Sequence, residues 1–135
     1  LHKALRFRKM LGGGMRQAGV LAAAGHYALQ HHVRRLAEDH ANLHTLASGL
    51  RAVGENHPVL RGRITVHPWQ TNILFTDVQA DVAPAFTAWL AQHQIRVTSS
   101  LYGGQSRLRW VTHLDVNAAD VQAALDCVAR FTLPG

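Results

Sequence analysis

Apolar positions recur along this chain with periods that change several times, and each change marks an element. Leu36, Leu43, Leu46 or Ala47, and Leu50 follow a helical spacing, while Arg34, Arg35, Glu38 and Asp39 fall largely on other faces. This predicts an amphipathic helix over residues 33–53, ended by Gly54 and followed by a turn at Asn56-His57-Pro58. The period then shortens. Ile64, Val66, Ile73, Phe75 and Val78 predict strands over residues 63–67 and 72–78, separated by Pro68-Trp69-Gln70-Thr71. Asp81 is expected to cap a helix over 82–93, with Pro84 tolerated in its first turn. A short strand over 95–98, a glycine-containing loop from Tyr102 to Gln105 and a strand over 108–112 come next. Asn117 is expected to cap a last helix running to about residue 130, with Pro134-Gly135 as its stop.

Upstream, residues 15 to about 30 read as a helix dense in alanine, through Val20, Leu21, Ala22, Ala23 and Ala24. Small residues, with Gly19 and Gly25 among them, let a second backbone approach, so this helix is expected to be buried on more than one side. His31-His32 marks a break. Before all this, residues 1–8 form a basic amphipathic segment with neither cap nor lead-in. The order helix, helix, strand, strand, helix, strand, strand, helix describes a two-layer α+β unit. Its sheet has four strands, mostly antiparallel, with helices mainly on one face and long helices before it.

Composition adds to this picture. With 135 residues, 47% of them hydrophobic, the chain can bury one core. Charged residues make up 16%, below the usual quarter or so. Part of the surface is therefore expected to meet protein, as in a fragment or an obligate oligomer. The opening segment and the missing initiator methionine predict a chain that starts inside a longer one. No apolar run reaches the roughly 18 residues needed to span a bilayer, and no leader is visible. Cys127 lies in the apolar pattern of Val121, Leu125, Val128 and Phe131 and reads as a buried thiol, in keeping with a reducing, cytoplasmic compartment. The net charge of +6 suits nucleic acid or small anions, but the arginines are scattered and aromatics are only 7%. A stacking platform for single strands is therefore not expected.

The stretch Arg8-Lys9-Met10-Leu11-Gly12-Gly13-Gly14-Met15-Arg16-Gln17-Ala18-Gly19 sets two cations before three glycines and a third at the entrance to a helix. Glycines can turn backbone N–H groups toward a ligand, and a helix N-terminus favours negative charge, so the stretch reads as a cradle for phosphate or carboxylate. A plain break between two helices, with solvated cations, fits the same spacing. His40 and His44 share a helix face, near in sequence to His26, His31, His32 and His57, but neither a zinc-protease glutamate nor paired cysteines accompany them. No metal site is expected. Ser99, His113 and Asp115 could be drawn as a triad, yet no nucleophile elbow supports it, and Thr112-His113-Leu114-Asp115 reads as a strand-to-helix corner.

Four stretches, in order, resemble the low-specificity L-threonine aldolase family of pyridoxal-phosphate enzymes: the glycine stretch above, Arg35-Leu36-Ala37-Glu38-Asp39-His40, Thr71-Asn72-Ile73-Leu74-Phe75, and Arg109-Trp110-Val111-Thr112-His113-Leu114-Asp115-Val116. They span nearly the whole chain. The resemblance implies the C-terminal portion of a fold-type-I enzyme, with residues 1–32 as the helical connection from a large cofactor domain and 33–135 as the small α+β domain. It implies cleavage of L-threonine or L-allo-threonine to glycine and acetaldehyde, and a homotetramer; the alanine-rich helix and the low charge add the expectation that an excised fragment self-associates. The family's catalytic lysine stands in a Ser-Lys-Gly-Leu-Gly type motif that does not occur here, and Lys9 does not match it. The resemblance thus implies no catalytic residue in this chain and no pyridoxal phosphate bound by it alone. By their matching positions, Arg109 would grip the substrate α-carboxylate, and Lys9 and Arg16 would approach the cofactor phosphate, that of a neighbouring subunit. A non-catalytic interaction module of the same fold and a basic anion or nucleic-acid binder stand as the alternatives. The binder would show steep salt dependence.

Overall fold

The alternating stretches come together as one antiparallel sheet. Its strands are β1 (Ile64–Val66), β2 (Ile73–Val78), β3 (Thr98–Tyr102) and β4 (Gln105–Val111), in the spatial order β1-β2-β4-β3. The helices are α1 (His2–Met10), α2 (Gly19–His31), α3 (Leu36–Asn56), α4 (Ala83–Gln92) and α5 (Ala118–Ala129). These coordinates are a computed structural model, and the structure describes residues 1–133. Two compact units are formed, Leu1–Arg35 and the α+β unit from Leu36 onward.

In the α+β unit, alternation along each strand separates two faces. Leu74, Thr76 and Val78 of β2 and Leu108 and Trp110 of β4 are buried on one of them. The apolar members of this set join Leu43, Leu46, Ala47 and Leu50 of α3, Phe86 and Leu90 of α4, and Val121 and Val128 of α5 in a single core. Thr76 belongs there because its hydroxyl accepts the indole N–H of Trp110 at 3.0 Å, leaving neither group unpaired. The expected α+β class therefore holds, and every strand pair is antiparallel. The opposite sheet face carries Phe75 and Asp77 from β2, Arg107 and Arg109 from β4, and Thr98 and Ser100 from β3 in cross-strand register.

Several local expectations are corrected. Gly54 does not stop α3, which continues to Asn56. A Cβ there would meet Ile64 at 3.0 Å, so the glycine serves close packing of α3 on β1. The stop comes from His57, whose Nδ1 accepts the N–H groups of Val59 and Leu60, each at 3.1 Å. Asp81 does not cap α4, whose N-cap is Val82 without a side-chain bond; instead Asp81 pairs with Arg63 at 3.3 Å. The third strand lies at Thr98–Tyr102 rather than at 95–98, because Gly103 and Gly104, with φ of 57° and 77°, make a two-residue turn that zips Tyr102 against Gln105. Ile95 and Val97 are left to pack on the core from the preceding loop. Asn117 does cap α5, in a reciprocal capping box with Asp120. The expected stop at Pro134-Gly135 lies outside the described residues.

In the first unit, α2 begins at Gly19 rather than at residue 15, since Gln17 takes φ 54° and residues 16–18 form a turn. The opening basic segment forms α1, an additional helix in the order. The expected burial of the alanine-rich helix is not found here. Neither α1 nor α2 has a buried residue, and Val20, Leu21, Tyr27 and Leu29 are all exposed. Two short helices cannot enclose a core of their own.

Candidate functional site

The glycine stretch folds as a helix stop. Gly12 adopts φ 82° just after α1; its N–H donates to the carbonyl of Lys9 at 3.2 Å, and the N–H of Gly13 donates to that of Arg8 at 2.8 Å. This pair is the Schellman arrangement, which satisfies the carbonyls at the end of a helix. The N–H groups expected to cradle an anion at Gly12 and Gly13 are therefore spent on α1. Gly14 instead makes room for Lys9, since a Cβ there would lie 2.6 Å from Lys9 Nζ. Arg16 is exposed in the turn before α2, whose N-cap, Ala18, offers no side-chain bond. Beyond those N–H groups, the stretch leaves Lys9 and Arg16 as exposed cations and the N-terminal turn of α2 without a side-chain cap.

Arg109 lies on the open sheet face, opposite Phe75 on one side and Thr98 on the other. It is exposed, and its guanidinium makes no hydrogen bond or ion pair with any described residue. Its backbone is firmly held. Asn72 Nδ2 donates to the carbonyl of Thr112 at 2.8 Å, and the Thr112 hydroxyl, buried, donates to the carbonyl of Asp39 at 2.7 Å. Asn42 Nδ2 donates to the carbonyl of Val116 at 3.0 Å. These bonds join three of the motif stretches and pin the end of β4 to β2 and to α3. A free guanidinium fork on a fixed strand is suited to a planar carboxylate.

Two residues before Arg109 on the same face stands a group that sequence reasoning missed. Arg107 donates Nε to Asp77 Oδ1 at 2.7 Å and Nη2 to Oδ2 at 2.8 Å. His67 Nε2 lies 2.8 Å from the same Oδ2, and the guanidinium sits over the Tyr102 ring, 3.9 Å from its centre. The Arg107 fork holds the Asp77 carboxyl down to about 2; burial opposes this, and His67 adds to it. The carboxylate in turn pushes the Arg107 guanidinium further up. The available signal was one acid within an otherwise apolar and hydroxyl-bearing β2 and alternate arginines on β4.

This has a consequence for acid stability. The folded-state pKa of Asp77 lies below its ordinary 3.8, so its stabilisation is complete above about pH 4 and is lost as pH falls toward about 2. We expect a contribution on the order of 1 kcal/mol, discounted because water reaches the rim of the pair. Urea unfolding of the native protein and of Asp77→Asn should differ near neutrality and converge at low pH. A constant difference would contradict this account.

The remaining candidates are dispersed. Asp115 N–H donates to His113 Nδ1 at 3.3 Å at a local corner, while Ser99 lies on β3 in register with Leu108. The His44 ring meets Trp69 edge-on. Among the described residues no group of His, Cys, Asp or Glu is arranged to hold a metal. Cys127 is buried, which pushes its thiol pKa up. Lys9 and Arg16 belong to the first unit and Arg109 to the second. No helix among the described residues is long and apolar enough to cross a membrane.

Residues 1–81 match the model of the beta-eliminating lyase family. The chain is 41% identical over 117 residues to the low specificity L-threonine aldolase of Escherichia coli strain K12, covering 87% of this chain and 31% of that protein. It is 38% identical over 131 residues to the probable low-specificity L-threonine aldolase 2 of Arabidopsis thaliana, covering 96% and 35%. With low-specificity L-threonine aldolase 1 of the same plant it shares 35% identity over 136 residues, covering 98% and 36%. The chain spans about a third of the length of these curated relatives.

Proposed function

This chain belongs to the beta-eliminating lyase family, and from that premise we propose that it is the C-terminal part of a pyridoxal-phosphate-dependent aldehyde-lyase. The complete enzyme cleaves L-threonine or L-allo-threonine to glycine and acetaldehyde. The observation that carries this reading is Arg109, an unpaired guanidinium on a strand pinned by Asn72 and Thr112. Its fork takes the α-carboxylate of the amino acid, which fixes rotation about the bonds at Cα and holds the Cα–Cβ bond in its reactive orientation.

The cofactor's phosphate is a dianion, and Lys9, Arg16 and the uncapped start of α2 form a donor set of matching charge. Lys9 and Arg16 hold that phosphate, in a neighbouring subunit of a homo-oligomer. When bound, pyridoxal phosphate supplies an electron sink for the breaking Cα–Cβ bond. The lysine that carries it and the base that takes the β-hydroxyl proton are supplied by the rest of the enzyme. The compartment is the cytoplasm, and excised from its parent this chain is silent and self-associates through exposed apolar residues of α2.

The test uses the full-length protein with added pyridoxal phosphate and L-threonine. Glycine and acetaldehyde are expected in equal amounts, from a protein that sediments as an oligomer. Cofactor binding without glycine from either threonine diastereomer would overturn the proposed reaction, and a monomer at all concentrations would overturn the proposed assembly.

A further inference from the structure

We propose that Asp77, by occupying Arg107, makes the open sheet face select amino acids that carry a single carboxylate. Arg107 and Arg109 are alternate residues of β4 on one face, which puts their backbones about 7 Å apart. Two free guanidinium forks at that spacing would form a receptor for both carboxylates of a short dicarboxylate. Only one of them is free. Asp77 takes the Nε and Nη2 edge of Arg107 in a two-bond fork, His67 lies against the same carboxylate, and the Tyr102 ring covers the guanidinium face. The cross-strand neighbours of Arg109, Phe75 and Thr98, are uncharged. Asp77 is a positioning residue and acts through Arg107.

The inference rests on the carboxylate reading of Arg109 and extends it to the rest of the substrate. Side chains that end in methyl or another neutral group are accepted, whereas 3-hydroxyaspartate finds no second cation. Its cleavage would break the same Cα–Cβ bond: the β-hydroxyl proton passes to the base, the electron pair remains on Cα and takes a proton, and glyoxylate leaves in place of acetaldehyde. No additional reactant is needed.

In the full-length enzyme, Asp77→Asn frees the Arg107 fork. The ratio of kcat/KM for 3-hydroxyaspartate to that for L-threonine is expected to rise about tenfold, mainly through KM, with a parallel gain in inhibition by succinate. Asp77→Glu, which keeps the ion pair, should return the ratio toward the native value. The double variant Asp77→Asn/Arg107→Gln should lose the gain, an outcome that a purely structural role for Asp77 would not produce. Should Asp77→Asn fail to fold, Arg107→Gln carries the test alone: it uncovers the Asp77 charge and should raise KM for both substrates several-fold, more for 3-hydroxyaspartate, with kcat retained. An unchanged ratio in Asp77→Asn, or a gain that persists in the double variant, overturns the proposal. Arg109→Gln separates the two levels. If that variant still binds threonine, the reading of Arg109 is wrong; if its binding collapses while Asp77→Asn leaves the ratio unmoved, only the selectivity inference fails.

Discussion

Arg109→Gln in the full-length enzyme is expected to lower kcat/KM for L-threonine by about 100- to 1000-fold and to leave the unfolding midpoint where it was. The two halves of this expectation have different origins. Arg109 is exposed and has no polar partner among the described residues, so folding gains little from its charge, and surface changes of this kind cost no more than about 0.5 kcal/mol. A substrate carboxylate, by contrast, loses a charge-assisted fork, and such a contact in a desolvated site is worth roughly 2–5 kcal/mol. Glutamine keeps much of the length and polarity but removes the charge. Arg109→Lys should fall between the two, since an ammonium keeps the charge and cannot span both oxygens of the carboxylate. Steady-state cleavage of threonine and thermal unfolding, measured on the same preparations, decide the matter. Full activity in Arg109→Gln would remove this residue from the substrate site.

Much of the scaffold behind Arg109 is written locally in the sequence. The period of Leu43, Leu46, Ala47 and Leu50 identifies the buried stripe of α3, and Asn117 followed by Asp120 identifies the start of α5, because both signals operate within a turn or two of helix. Glycines are harder to interpret, since one residue type serves unlike purposes. Gly12 ends a helix in the left-handed region, whereas Gly54 continues one and makes room for Ile64. Gly103 and Gly104 set a hairpin and thereby draw β3 away from Ile95 and Val97, the more strand-like residues by composition.

The Asp77 group is not a local feature. Asp77 and Arg107 are 30 residues apart, and they meet only because β2 and β4 pair antiparallel in a register that sets them directly opposite. A slip of either strand by one residue would send that strand's member of the pair to the core face and part the two. That register is fixed on the other side of the sheet by Leu74, Thr76 and Val78 against Trp110, Leu108 and Ser106. The charged network on the open face is thus a consequence of how the apolar face packs. Arg109 stood out because of its motif, and Arg107, with no motif of its own, did not.

Phe131→Ala is expected to cost about 3–5 kcal/mol, among the largest losses of stability from a single side chain in the α+β unit. Phe131 is 2% exposed and follows α5 directly, where its N–H donates to the carbonyl of Val128 at 3.1 Å. Its ring meets Phe86 edge-on at 5.1 Å and Trp89 at 6.1 Å, both on α4, and stacks on His57 at 6.4 Å. The indole N–H of Trp89 also donates to the carbonyl of Cys127 at 3.0 Å, so α4 and α5 are joined around this one ring. Truncation removes the shared contact and leaves a cavity that three rigid rings cannot close. For a unit of this size the loss corresponds to a fall in Tm of about 15 °C or more. Phe131→Leu should recover part of it by refilling the space. Indole fluorescence during thermal unfolding gives the readout, because Trp89 and Trp110 both lie in or against this core. In the full-length enzyme the variant should nevertheless bind threonine normally well below its midpoint, since Arg109 and its supports Asn72 and Thr112 are on other elements. A loss smaller than about 1 kcal/mol would mean that α4 is held by other contacts. A loss of substrate affinity at temperatures where the variant is still folded would mean that the end of β4 depends on α4, in addition to the bonds that tie it to β2 and α3.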